Sequence, residues 1–159
     1  MPKLKPQYTS EVTPQYKQAT ANKRVRYTIE QNIKDHPEIL KEFDEWKLKK
    51  GPQVVPSFDG IFHSNYTPTL FDIRKAEIRE DHGQRNALSE RSRKNKILGI
   101  AKKFDPMQFQ PIDVDYLIHE DVFIIRDGGG RGTAAYLNGV FMVPATIRIV
   151  KDVADSRRL

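Results

Sequence analysis

An apolar strand that runs straight into three consecutive glycines constrains this chain more than any other stretch. Ile124-Ile125-Arg126-Asp127 leads into Gly128-Gly129-Gly130-Arg131-Gly132 and then into Thr133-Ala134-Ala135. The glycines stop the strand and the alanines favour a helix, so the segment predicts a strand–turn–helix unit. Such a unit aims unpaired backbone N–H groups and the positive end of a helix dipole at one spot, where an anion can sit. Glycines let a phosphate approach closely, the Arg131 guanidinium offers a planar fork, and the Thr133 hydroxyl offers another bond. The glycine spacing is neither a Walker A loop nor a dinucleotide fingerprint. Two readings stand: an anion site at 128–131, or a tight glycine-rich turn whose Arg131 caps a neighbouring group.

Around this unit the apolar spacing predicts further elements. Asp35 reads as a helix cap before Pro37, with Glu38 completing a capping box. Ile39, Leu40, Phe43, Trp46 and Leu48 form a stripe as far as Lys50, Trp46 as packing, and Gly51-Pro52 ends it. Residues 51–68 read as a connector. Leu70, Phe71 and Ile73 predict a short strand, and 81–86 a polar turn. Ser89 caps a helix to about Phe104, with Ile97, Leu98, Ile100, Ala101 and Phe104 inward and basic residues outward. Strands are expected at 112–117 and 122–126, joined by a hairpin through His119-Glu120-Asp121. The helix after the glycines spans 131–138, Gly139 ends it, and 146–150 is a last strand. Asp113 and Asp115 alternate along one strand and share a face expected to be exposed.

Charge is unevenly placed. Residues 1–27 carry Lys3, Lys5, Lys17, Lys23, Arg24 and Arg26 against Glu11 alone, with prolines and no apolar period, and read as an extended arm. Tyr8, Tyr16 and Tyr27 either stack on bases or a partner, or pin the arm to its own domain. Residues 91–103 carry Arg91, Arg93, Lys94, Lys96, Lys102 and Lys103 and no acid. Such blocks attract polyanions by counterion release, so nucleic acid is weighed against a plain solvated tail and helix face. Arg91, Arg93, Lys94, Lys96, Lys23, Arg24 and Arg26 are the candidate contacts. The absence of cysteine excludes thiol chemistry and thiolate zinc, and His36, His63, His82 and His119 lack zinc-ligand spacing. No apolar run approaches the ~20 residues of a bilayer helix, and the first thirty residues hold no secretory signal, so no membrane partner and a cytoplasmic location are expected.

The spaced motifs carry a family likeness. Asp127-Gly128-Gly129-Gly130-Arg131, then Ala134-Ala135 and, after Gly139, Val143-Pro144-Ala145, resembles the Gly-x-x-Arg box of the ParB/sulfiredoxin superfamily. Gln110-Pro111-Ile112 followed by Val114 is similar to its Gln-Pro-Ile segment, and Gln84-Arg85 to a Gln-Arg pair of ParB-like nuclease-type members. The resemblance implies an α+β (mixed α/β) fold: a mixed sheet with flanking helices at 69–150. An extended basic arm at 1–27 and a helical extension and connector at 28–68 would precede it, and a tail at 151–159 would follow. It also implies that Gly128, Gly129, Gly130 and Arg131 cradle nucleotide phosphates, with Gln110, Pro111 and Ile112 lining the same pocket. Gln84 and Arg85 would reach it from a neighbouring loop. Members use CTP with magnesium, ATP or DNA, so Mg2+ with a nucleoside triphosphate is the implied cofactor, and DNA the implied nucleic acid.

Departures narrow the expectation. Gly129 and Gly130 stand where many members carry Glu, Gln, His or Arg, so acid–base or metal-bridging side chains are missing there, while phosphate binding by backbone survives. The sulfiredoxin cysteine is absent, which excludes that reaction, and 151–159 is too short for the helix-turn-helix reader of chromosome-partition proteins. If the chain cleaves, the reaction is metal-assisted phosphodiester or nucleotide hydrolysis. Arg131 and the loop amides would stabilise phosphate charge, with His82 or Asp127 as base. Glu80, Asp81 and His82 either hold a divalent metal or form a polar loop. The expected function is thus a ParB-like DNA- or nucleotide-binding protein that holds phosphate at its glycine loop, with metal-dependent nuclease or nucleotide hydrolase activity left open. The alternative is a non-catalytic adaptor that keeps the fold and binds a protein partner or a second copy through its arm and its 37–50 helix. An origin in a phage or mobile element is a further option.

Overall fold

A computed structural model describes residues 25–52, 55–58, 69–80, 88 and 91–152. In chain order its elements are β1 (Arg26–Thr28), α1 (Ile29–Asp35), α2 (Pro37–Lys50), β2 (Thr69–Asp72), a 3-10 turn (Ile73–Lys75), β3 (Ala76–Arg79), α3 (Arg91–Lys102), β4 (Ile112–Leu117), β5 (Val122–Asp127), α4 (Gly129–Leu137) and β6 (Met142–Val150). The six strands form one mixed sheet in the order β1-β3-β5-β4-β6-β2. β3 runs parallel to β5 and β4 parallel to β6, while the other pairs are antiparallel. The class is therefore α+β, as expected.

The sheet is curled. Four strand spacings separate β2 from β3 in the sheet order, roughly 19 Å if flat. The chain between Asp72 and Ala76 spans at most about 14 Å. Only a sheet that bends back on itself closes the difference, and Phe71 on the edge strand β2 does meet Phe123 on β5, with ring centroids 5.1 Å apart. Asp72 makes the turn between the two strands. Its carboxylate accepts from the Arg74 backbone N–H at 3.0 Å and from the guanidinium at 3.0 and 2.8 Å. The single strand expected around Phe71 is thus two strands split by a 3-10 turn.

Side-chain alternation sorts the sheet into two faces. Ile112, Val114, Ile125, Val143 and Ala145 point to the main core under the helices. Burying each such aliphatic side chain is worth about 1.5–3 kcal/mol. Leu117, Ile124 and Val150 form a smaller cluster on the other face. Asp115 lies on that second face and is fully buried, contrary to the exposure expected for it. Arg126 reaches it at 3.1 Å, and Arg148 grips it with two bonds at 3.1 and 2.8 Å. A charged residue on a strand looks solvent-facing in sequence, yet here two cations from the flanking strands replace water.

The packing does not begin at residue 69. β1 pairs with β3, and Tyr27, Ile29, Ile33, Ile39 and Phe43 belong to the main core. Tyr27, only 2% exposed, is packed into its own domain; Tyr8 and Tyr16 lie outside the described residues. Helix α1, absent from the sequence expectation, starts with a capping box. The Gln31 N–H donates to Thr28 Oγ1 at 3.1 Å, and the Thr28 N–H donates to Gln31 Oε1 at 3.0 Å. The box expected at Asp35 and Glu38 is thereby corrected. Asp35 closes α1, His36 is the N-cap of α2 without a side-chain cap bond, and Pro37 opens that helix. On α2, Ile39 and Phe43 are buried, but Leu40 and Leu48 are exposed. Thr28→Ala is expected to lower stability by about 1 kcal/mol, read as a shift of the urea midpoint at constant slope. No helix among the described residues is long and apolar enough to cross a membrane.

Candidate functional site

The strand–glycine–helix unit forms as the sequence predicts, with the helix beginning two residues earlier, at Gly129. Gly128 is its N-cap in a left-handed conformation, φ 102° and ψ 18°, with no side-chain cap bond. The first intrahelical donor is Gly132 N–H, bonded to Gly128 C=O at 2.9 Å. Helix geometry therefore leaves the amides of 129–131 without intrahelical acceptors. The end of β5 is also irregular: the β4–β5 register shifts between Asp113 and Val114, leaving one extra residue in β5. A bulge of this kind re-aims the side chain that follows it, here Asp127.

These residues line a cleft of about 490 Å³. Its glycine end is formed by Asp127, Gly128, Gly129, Gly130 and Arg131. Facing them from α3 are the cations Arg93 and Lys96 with Ile97 and Ile100; Tyr27, Asn32 and Ile78 close the remaining wall. Gly129 and Gly130 have a packing reason as well as an open side. A Cβ would sit 3.3 Å from Ile78 Cδ1 at the first and 3.4 Å from Ile97 Cγ1 at the second.

Arg131 caps a neighbouring segment, as the second sequence reading expects. Its Nε donates to Gln110 C=O at 3.1 Å and its Nη2 to Pro111 C=O at 3.0 Å, so one edge of the guanidinium clasps the Gln-Pro-Ile segment. Two of its five donors are committed by these bonds, and the residue also lines the cleft. The Gln110 segment thus meets the glycine box through backbone carbonyls, while Gln110 itself lines an adjoining recess with Arg131. Thr133 is corrected: its hydroxyl donates to Gly129 C=O at 2.7 Å, a bond back along the helix, so its donor is unavailable to a ligand.

The basic face of α3 divides. Lys94 lies 4.0 Å from Glu38 and Lys102 3.4 Å from Glu42, both acids on α2, whereas Arg93 and Lys96 turn to the cleft and Arg91 is exposed. Arg26 is not at the cleft: its guanidinium meets Glu77 at 3.1 and 3.0 Å on the opposite sheet face. Lys23, Arg24, His82, Gln84 and Arg85 lie outside the described residues.

Tyr27, which the sequence offered as a stacking or pinning residue, and Asn32, which it did not single out, both form the wall. Burial, then the charge and hydrogen bond of Glu80, raise the Tyr27 phenol far above its ordinary range, so it stays protonated at neutral pH. Asn32 is 3% exposed. Asn32 carries no local signal, because its place in the wall comes from the packing of α1 against α4. Among the described residues no three His, Asp or Glu side chains group as a metal site. Compared with known proteins, the chain matches no family model, no curated protein and no solved structure.

Proposed function

We propose that this chain binds a phosphate of a nucleotide or of DNA in the cleft at 128–131, as the ParB/sulfiredoxin resemblance implies. One observation carries the reading: three cations, Arg93, Lys96 and Arg131, and the first turn of α4 converge on a single cleft, against one lining carboxylate, Asp127. A phosphate there accepts from the free amides of α4 and faces the cations across the opening, an arrangement stabilised by helix dipole and side-chain charge together. The contact of Arg131 with the Gln110 and Pro111 carbonyls adds support, since the resemblance also couples those two motifs. A magnesium ion arriving with a nucleoside triphosphate needs one or two protein carboxylates, and Asp127 is the lining residue of that chemistry. Asp127 is likewise the candidate base for hydrolysis.

The test is a titration of labelled nucleoside triphosphate and of DNA onto the full chain, with and without magnesium, at two salt concentrations. Lys96 is exposed, so Lys96→Gln leaves the fold intact. Its loss is expected to weaken binding about tenfold, the size of one charge-assisted hydrogen bond, and to flatten the salt dependence. Arg131→Ala weakens it further. If wild-type protein binds neither ligand saturably, the reading is wrong. A second reading, the non-catalytic adaptor, draws support from α2, whose Leu40 and Leu48 are 43% and 82% exposed. On that reading a partner is retained by Arg131→Ala unchanged.

A further inference from the structure

We infer that the ligand is a single-stranded nucleic acid at least two nucleotides long, because the cleft continues over a ridge into a second recess suited to a base. This rests on the phosphate reading above. The second recess, of about 540 Å³, is lined by Lys103, Phe104, Gln108, Phe109 and Gln110. Lys96, Ile100 and Arg131 border both spaces and so form the ridge between them. Each space alone is within the ~300–1,000 Å³ of a small-ligand site, so a mononucleotide at the glycine end leaves the second recess empty. A strand fills both by crossing Lys96 and Arg131.

The chemistry of the two recesses differs in the direction a strand requires. The first offers amides and cations. The second offers the half-buried ring of Phe104, braced at a centroid distance of 5.7 Å by Phe109 of the main core, beside the exposed carboxamide-bearing residues Gln108 and Gln110. Lys103 stands at its rim, and among the described residues no acid pairs with Lys96 or Lys103, whereas Lys94 and Lys102 of the same segment face Glu38 and Glu42. Asp105, the acid at this recess, is engaged with its own turn, accepting from Met107 N–H at 3.0 Å. A line of cations that tracks a backbone, with aromatic rings set beside it, is how single strands are held without reading sequence. Paired bases are stacked inside a duplex, so a base enters such a recess only from an unpaired strand.

Competition on the full chain decides the matter, with a fluorescein-labelled eight-residue oligodeoxythymidylate as probe and dTMP, the 5′-phosphorylated dinucleotide and the tetranucleotide as competitors. The dinucleotide should compete at a concentration about tenfold or more below that of dTMP, the effect of one stacked base. Phe104→Leu should cost the tetranucleotide about fivefold or more and leave dTMP unchanged. Lys103 is exposed, so Lys103→Gln keeps the fold and should lower the slope of log affinity against log salt by ~0.7. Equal competition by dTMP and the dinucleotide, or a duplex that binds as tightly as the single strand, overturns the two-recess ligand and leaves the phosphate site standing. If neither the probe nor dTMP binds, the phosphate reading itself fails.

Discussion

Replacing Asp115 by Ala is expected to lower folding stability by about 3 kcal/mol and the melting temperature by roughly 6–12 °C. The carboxylate is fully buried and is shared by Arg126 and Arg148, whose side chains are 35% and 26% exposed. Removing one member of a buried ion cluster typically costs about 3–5 kcal/mol, because the remaining charge keeps its desolvation and loses its partner. The two arginines can still reach water, and Arg126 keeps Asp113 at 3.9 Å, so the lower end applies. The loss shrinks if all three are replaced together. A variant with Leu at 115 and Met at 126 and 148 has no buried charge to compensate, and should regain most of the loss. Urea unfolding of the single and triple variants at equal slope measures both values. A single variant within about 0.5 kcal/mol of wild type would mean that the two arginines hold Asp115 for no energetic gain.

That cluster also shows where sequence reading stops. β4, β5 and α4 were legible because each carries its own signal: alternating Ile112 and Val114, the apolar run before Asp127, and the glycine-to-alanine change after it. β3 was not legible. Its four residues, Ala-Glu-Ile-Arg, hold two charges, and Arg79 is 4% exposed only because Glu77 and Glu120 meet it at 3.1 and 2.8 Å. Glu77 is two residues away, but Glu120 comes from a turn forty-one positions on, and no local pattern announces it. β6 was half legible. It starts at Met142, four residues before the expected 146, and runs through Pro144, which pairs with Leu70 on the edge strand β2 before the β4 ladder begins at Ala145. A proline with only an edge strand beside it costs little, but in sequence it reads as a break.

The site divides along the same line. Its glycine end was visible because loop and helix are contiguous, and Arg93 and Lys96 were visible as part of a charge block. Which of the block's cations face the cleft was not, since that depends on Glu38 and Glu42 of α2 drawing Lys94 and Lys102 to the other side. The Thr133 hydroxyl misled for a related reason: a helix offers it the carbonyl four residues back, an acceptor closer than any ligand.

Gly128 and Gly130 should separate under substitution, and the separation tests whether the turn serves the fold or a ligand. At Gly128 an alanine meets two independent obstacles. The left-handed φ of 102° costs a side-chain-bearing residue about 1–3 kcal/mol. Its Cβ would also lie 2.7 Å from Cγ2 of Ile112, which is fully buried in the main core, and 2.9 Å from Arg131 Nη2, which the Pro111 carbonyl holds in place. Neither neighbour can retreat freely, and overpacking of this kind adds about 1–3 kcal/mol. Gly128→Ala is therefore expected to lose about 4 kcal/mol, a large share of the ~5–15 kcal/mol that holds a typical domain folded. Gly130→Ala is the contrast. That position is helical, its Cβ would touch Ile97 at 3.4 Å, and the gain in helix propensity of up to about 1 kcal/mol offsets the tighter contact. Its melting temperature should stay within about 3 °C of wild type. Because the same methyl group stands at the glycine end of the cleft, phosphate ligands should bind it several-fold more weakly. If Gly130→Ala matches wild type in both melting and binding, the glycine at 130 serves neither; if it unfolds like Gly128→Ala, the triplet is explained by packing alone.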